Sequence, residues 1–481
     1  MGLRESAAGG FTILAGLKIV GTIVARVSAI VIALLLTPDD LGVFAIASFY
    51  VGLMGLIADF GLGAELVRRA GSRPGTLETA FVLRVVLAAV VVGVAPIVGI
   101  GVGALYVDAR LVLLVPVSAL PILLLAFMFP SRTLALQRLQ YGRAAVPDQT
   151  GKMVAPLATI GLAFVGFGYW SLAYGAVAGA ILALALFQIA VPWRPALRYD
   201  RRIARDVAGF GKFIMFAAIA SSLAGTIDTA YLGLLAGTAA TGLYVVATSW
   251  GVYLTSNLSS LFSSVTYPIF ARVRDATDRI RRALREIMRY YGYTAVFMSV
   301  GVLVLADPFV RSVLGPAWTP AIAPMQILSV SGFLTGLAQI GFDALTAVGQ
   351  ARLVFRASVL QVIFLAVALP FAIAWGGILG AALAVSIEAA MSVVLSYRWV
   401  RRAFDLPLRS SLHPIALSWA VAFLTLPVVL VAELFAGPGL LWFAALVGIY
   451  TLTFVVILVI VTRGAALREA QYLMRLAFRQ V

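Results

Sequence analysis

A chain of 481 residues that is 62% hydrophobic and 12% charged has about half the charged fraction of a soluble domain, and its mean hydropathy of +1.04 leaves no room for a sizeable soluble domain. The net charge of +16 would point to nucleic acid in a water-soluble protein; in so apolar a chain it fits cytoplasmic loops that fix topology and meet anionic headgroups, with no nucleic-acid partner. The lack of cysteine excludes disulfides, thiol catalysis and thiolate metal sites, and a single histidine, His413, excludes a histidine metal cluster.

In chain order, fourteen apolar segments are predicted, each near the ~20 residues a bilayer requires. They are 11–36, 41–66, 78–104, 111–130, 149–166, 169–192, 209–236, 240–268, 288–306, 321–347, 353–374, 376–398, 413–434 and 440–462. No cleavable signal is expected, because the first run is too long for an h-region and Thr37-Pro38-Asp39-Asp40 lacks the small-residue cleavage pattern. With the N-terminus inside, the outward connections are Thr37–Asp40, Leu105–Arg110, Gly166–Gly168, Gly237–Ala239, Asp307–Pro320, Trp375 and Phe435–Gly439. Of the 36 basic residues only Arg110 and Arg311 lie there. Lys18 and Arg26 fall inside the first span, and the rest sit on the cytoplasmic side. A missed span would invert this bias downstream, so both ends are expected inside. The largest cytoplasmic connections are Trp193–Val207 and Ala271–Ile287. Asp275/Arg279 and Asp278/Arg282 predict a short surface helix in the second. Leu467, Ala470, Met474, Phe478 and Val481, flanked by Arg468, Arg475 and Arg479, predict an interfacial amphipathic tail.

A shift of 200 residues superposes the opening hairpin on 208–256. Ala8-Gly9 meets Ala208-Gly209, Leu34-Leu35 meets Leu234-Leu235, and Gly42-Val43-Phe44 meets Gly242-Leu243-Tyr244. An offset of six spans preserves membrane orientation, which implies a parallel repeat and suits alternating access. The expected organisation is an N-terminal lobe (1–207), a C-terminal lobe (208–409), and two extra helices with a tail (410–481).

Several patterns, in this order and spacing, resemble the polysaccharide-exporter (Wzx-type oligosaccharide flippase) family of the multidrug/oligosaccharidyl-lipid/polysaccharide exporter superfamily. They are Leu36-Thr37-Pro38-Asp39-Asp40-Leu41-Gly42, Asp59-Phe60-Gly61-Leu62-Gly63, Gly166-Phe167-Gly168-Tyr169-Trp170, Trp193-Arg194-Pro195, Phe210-Gly211, Ile227-Asp228, Leu232-Gly233, Tyr267-Pro268, Gly315-Pro316-Ala317-Trp318 and Ala347-Val348-Gly349-Gln350. The resemblance implies an all-α polytopic fold of two six-helix lobes around a cavity. It implies export of an undecaprenyl-pyrophosphate-linked glycan across a bacterial inner membrane, with membrane lipids, glycosyltransferases and a polysaccharide polymerase as partners, and no catalysis.

Charges inside spans are costly, by ~2.5–3.5 kcal/mol each on insertion scales, so they are the candidate site residues. Lys18 and Arg26 lie ~10 and ~22 Å from the cytoplasmic end of the first span and about 80° apart around it, where both can border one cavity. Lys18 is read as either a lipid anchor or a ligand contact. Arginine's fork fits phosphate oxygens at two points, which makes Arg26 a pyrophosphate candidate, with a buried acid partner as the alternative. Arg84 reads as a topological charge or an entrance contact. Asp59, Asp228, Asp343 and Glu388 are the span acids, either paired for insertion or able to carry H+ or Na+; no other cofactor is expected. Glu388, with no basic residue in its own span, is the leading ion-coupling candidate. Gly52-x-x-Gly55 and Gly61-x-Gly63 read as close-packing sites; Pro121, Pro156 and Pro370 read as kinks. Two other functions are weighed: a multidrug cation exporter, which needs an acidic cavity, and a membrane glycan polymerase, ligase or glycosyltransferase. The longest outward loop, Asp307–Pro320, holds no His or Glu for the second.

Overall fold

A computed structural model describes residues 3–63, 66, 75–138, 140–194, 198–273, 277–404, 408–435, 437 and 439–464. Among them there is no strand. The helices in order are α1 (Leu3–Leu35), α2 (Pro38–Asp59), α3 (Thr76–Tyr106), α4 (Arg110–Gln137), α5 (Tyr141–Phe164), α6 (Trp170–Ala190), α7 (Arg201–Ala236) and α8 (Thr238–Val273). There follow α9 (Thr277–Phe309), α10 (Ile322–Ala347), α11 (Ala351–Phe404), α12 (Leu408–Leu434) and α13 (Leu440–Val461). Eleven are long and apolar enough to cross a membrane. The other two are α5, whose first half carries Arg143, Asp148 and Lys152, and α8, whose middle is rich in Ser and Thr. The chain divides into two compact units, Met1–Gly242 and Leu243–Val481.

Among the described residues each predicted apolar segment falls largely on helix, but three connections differ from expectation. Pro38, Asp39 and Asp40 are not loop: they form the first turn of α2. Thr37 caps that turn by accepting from the Asp40 amide at 3.2 Å, while the Asp40 carboxylate accepts from the Thr37 amide at 3.0 Å. Pro38 at the first helical position needs no amide partner. The surface helix expected before residue 288 is the amphipathic start of α9 itself, with Ile280, Leu284 and Met288 buried on one stripe. There Asp278 pairs with Arg281 at 3.3 Å, one residue nearer than the expected Arg282. The outer loop expected over 307–320 is helical: α9 runs into a π turn (Val310–Leu314) and a 3-10 turn (Pro316–Ala321) that buries Trp318. The tail expected over 467–481 and the Asp275 pair lie outside the described residues.

Helix α11 is a hairpin. Gly376 and Gly377 leave helical geometry, Gly377 at φ 55°. Gln361 Nε2 donates to Ser392 Oγ at 2.7 Å, although a straight helix would hold residues 31 apart some 46 Å from each other. The two positions are equidistant from the glycine pair, so the arms 351–375 and 378–404 run antiparallel.

In the N-terminal unit, α2 lies antiparallel along α7 and is notched into it at both ends. A Cβ on Gly211 would overlap the Phe60 carbonyl, and one on Gly61 would meet Ile214 Cβ at 2.7 Å. One turn short of the far end, Gly233 admits Ile46 and the Tyr106 ring; Tyr106 OH donates to the Ala230 carbonyl at 3.0 Å. At the far end a Cβ on Gly42 would overlap the Thr238 carbonyl, and one on Gly242 would overlap the Pro38 carbonyl. This contact is reciprocal at the 200-residue offset. Gly52, by contrast, faces open space and Gly55 touches only Ile122 at 4.0 Å, so that pair is not a close-packing site.

In the C-terminal unit, the small face of α10 is the counterpart. Gly332 packs on Thr255, Gly336 on Ser259 and Tyr291, and Gly341 on Ser396. Tyr291 OH donates to the Phe333 carbonyl at 2.9 Å and Ser299 to the Ser329 carbonyl at 2.8 Å. Helix α13 docks on α9 through Tyr450, whose OH donates to the Phe297 carbonyl at 2.6 Å, and α12 packs on α9 where Gly292 faces Ser418 and Ile415.

The glycine notches predict that Gly42→Val destabilises the protein by about 1–3 kcal/mol, the usual cost of overpacking, while Gly52→Ala is neutral. Thermal unfolding followed by fluorescence-detected size exclusion distinguishes the two; equal midpoints would remove the notch from the fold's stability.

Candidate functional site

The charged residues of the N-terminal unit sort into pairs and a remainder. Where α2 ends and α3 begins, Arg84 Nη1 lies 2.7 Å from Asp59 Oδ1, and its guanidinium sits 4.5 Å above the Phe129 ring. Asp59 and Arg84 are thus two candidates that the fold brings together, α2 to α3. A second bridge, Arg132 to Asp148 at 3.0 Å, ties α4 to α5.

At the opposite ends stands a cluster that the sequence reading did not single out. Arg110 bonds Asp108 through Nη2 at 2.7 Å and through Nε at 3.0 and 3.1 Å, and reaches across to both oxygens of Asp39. Asp39 also accepts from the Thr238 hydroxyl, and the guanidinium lies 5.7 Å from the Tyr169 ring centre. One arginine therefore joins the starts of α2, α4 and α8. The available signal was that Arg110 is one of only two basic residues in the connections expected to face outward. Arg110 holds the Asp108 carboxyl below the ordinary carboxylate range through direct hydrogen bonds. Arg311, the other arginine expected to face outward, is likewise matched, to Asp307 at 2.9 Å.

Lys18 is exposed on α1, and Arg26, on the same stripe, is half-buried and engaged within the described structure. Thr22 between them donates its hydroxyl to the Lys18 carbonyl at 2.8 Å. Asp228, half-buried on α7, accepts from the Thr229 amide at 2.7 Å. In the C-terminal unit Asp343 is 8% exposed. Gln339 donates to its Oδ1 at 2.8 Å, and its Oδ2 has no hydrogen-bond donor among the described residues. Glu388, half-buried, accepts from Ser392 Oγ at 2.6 Å; Ser392 in turn accepts from Gln361, so a relay of neutral donors crosses the α11 hairpin. Among the described residues no group of three or more His, Asp or Glu could hold a metal ion.

A helical bundle with many helices able to cross a membrane, charges paired across them and a glycine-notched helix crossing defines a multi-pass membrane protein. A structure described as lipid II flippase MurJ, inward closed conformation, shares that fold with a TM-score of 0.74 over 94% of this chain and 99% of its own, at 15% identity. An inward-facing multidrug resistance MATE family transporter shares it at 0.60, over 80% and 94%, at 17% identity. The chain belongs to the polysaccharide biosynthesis protein family, whose model matches residues 31–323. It is 23% identical over 441 residues to the lipopolysaccharide biosynthesis protein WzxC of Escherichia coli K12, covering 90% of this chain and 88% of that one.

The Arg110 cluster predicts a pH-limited contribution. A depressed Asp108 stabilises the fold above the unfolded carboxyl value, near the 3.8 of a free aspartate, and that contribution fades as pH falls through the lower folded value. Arg110→Gln should cost about 1 kcal/mol at neutral pH for these part-exposed pairs, with the gap to wild type narrowing below about pH 4 in thermal melts. A gap independent of pH would separate Arg110 from its carboxylates.

Proposed function

We propose that this protein flips an undecaprenyl-pyrophosphate-linked oligosaccharide from the cytoplasmic to the outer leaflet of a bacterial inner membrane by alternating access. It crosses fourteen times with both ends inside, counting α5, α8 and both arms of α11. The protein moves its substrate and makes or breaks no bond in it. Glycosyltransferases and a polysaccharide polymerase supply and consume the glycan.

The observation that carries this reading is the charge balance of the N-terminal unit. Asp39, Asp59, Asp108 and Asp148 are each held by an arginine, while Lys18 and Arg26 share a stripe inside the first span. Two cations on one stripe of α1, one of them an arginine, offer the charge and the donor geometry that suit a diphosphate. A multidrug cation exporter would need the reverse. The family, the WzxC relative and the flippase fold support the same direction.

Coupling to H+ or Na+ is assigned first to Glu388, whose described partners are neutral hydroxyl and amide groups, and next to Asp343 and Asp228. Asp59, matched to Arg84, is the least available. Arg84, held between Asp59 and Phe129, orders the entrance more than it binds.

In proteoliposomes containing a labelled polyprenyl-pyrophosphate oligosaccharide, wild type should expose the label in the outer leaflet and Arg26→Ala should slow this at least tenfold, with insertion verified separately. Export of organic cations in place of the lipid would install the drug-exporter reading. Glu388→Gln should keep basal flipping and lose acceleration by an imposed ion gradient; an undiminished gradient response would clear Glu388 of coupling.

A further inference from the structure

We infer that Lys152 on α5 is a third cation of the substrate-binding face, placed level with and between Lys18 and Arg26. The inference rests on the flippase reading and extends its site to a second helix.

The relative direction of α1 and α5 follows from contacts along the unit. The two-residue link Leu36-Thr37 joins α1 to α2, and a Cβ on Gly168, just past α5, would lie 3.6 Å from Asp40 Oδ1 in the first turn of α2, so α1 and α5 end together and α2 reverses from them. Asp59 on Arg84 reverses α2 into α3, Gly103 against Val112 reverses α3 into α4, and Arg132 on Asp148 reverses α4 into α5. Four reversals leave α5 parallel to α1. Their register is set where a Cβ on Gly21 would lie 3.3 Å from Gln149 Oε1 and 3.8 Å from Met153 Cγ. Lys152 therefore stands level with Thr22, about 6 Å in depth from Lys18 and from Arg26 at 1.5 Å per residue.

Rotation puts them on one side. At 100° per residue, Lys18, Thr22 and Arg26 lie about 60°, 100° and 140° forward of Gly21, and Lys152 lies about 80° behind the centre of the Gln149/Met153 contact. For parallel right-handed helices, forward from the shared contact on one and backward on the other is the same side. On α5, Gly151, Ala155 and Thr159 are turned to α6, against Gly179 and Gly175, so Lys152 projects between its two neighbouring helices. Lys18 and Lys152 are both exposed, and neither has a carboxylate at ion-pair distance among the described residues. Arg143 on the same helix projects to the other side, about 100° forward of that contact.

Two lysines and an arginine spanning two helices match the chemistry of a diphosphate, whether borne by a lipid or free. Binding of a short polyprenyl diphosphate to the purified full chain in nanodiscs would be measured, with inorganic pyrophosphate and the polyprenyl alcohol as comparison probes. Lys152→Gln should weaken diphosphate binding about tenfold, one charged contact's worth. Lys152→Arg should hold it within threefold, and Arg143→Gln should leave it unchanged. Wild-type binding indifferent to Lys152→Gln, or weakened equally by Arg143→Gln, overturns Lys152 and leaves the flippase reading intact. No wild-type binding of the diphosphate overturns both. Tighter binding of the lipid diphosphate than of pyrophosphate supports a lipid-borne ligand; equal binding supports the same face with a free diphosphate.

Discussion

The fold of the N-terminal unit depends on backbone approaching backbone where α2 crosses α7 and the start of α8. In a bilayer, helices gain little from hydrophobic burial against one another, because lipid tails are as apolar as leucine; contact must come from close packing and from polar groups paired across helices. Here Gly42, Gly242, Gly61 and Gly211 remove the Cβ atoms that would hold the chains apart. Once the helices are that close, Asp39 can reach Arg110 and Thr238, and Tyr106 can reach the Ala230 carbonyl. The polar latches follow from the glycine notches.

Charge is handled on the same principle. An ion in a span is tolerated when a partner accompanies it, and Asp59 with Arg84 and Asp148 with Arg132 illustrate this at helix ends. The C-terminal unit uses hydroxyls and amides in that role: Gln339 on Asp343, and Gln361 through Ser392 on Glu388. In the first unit arginines hold Asp39, Asp59, Asp108 and Asp148; in the second, neutral donors take that place at Asp343 and Glu388.

The helices were legible because each apolar run is long and its breaks are sharp. A break at Trp375 was legible because two runs of bilayer length meet there; the turn itself falls one residue on, at Gly376-Gly377, which the apolar pattern had assigned to the second run. Connections were less legible. Thr37-Pro38-Asp39-Asp40 has a turn's composition and also a capping box, and only the paired amide and carboxylate show which governs. Likewise 307–320 has the prolines and glycine of a loop, yet Trp318 is buried and draws it into the unit. Lys152 was invisible as a site residue because nothing in a linear reading fixes how α5 turns toward α1; one glycine opposite Gln149 supplies that. Gly52-x-x-Gly55 had the spacing of a contact and no neighbour to make one.

The crossing at Gly42 and Gly242 has one more property. Residue 42 meets 238 and residue 242 meets 38, so the contact maps onto itself when the two segments are exchanged. This is an isologous contact, the kind two copies of one shorter chain make about a two-fold axis. In such a dimer a single glycine codon would clear both crossings at once. In the present chain the two clearances are encoded separately, and a bulky residue at either position closes the same gap from one side.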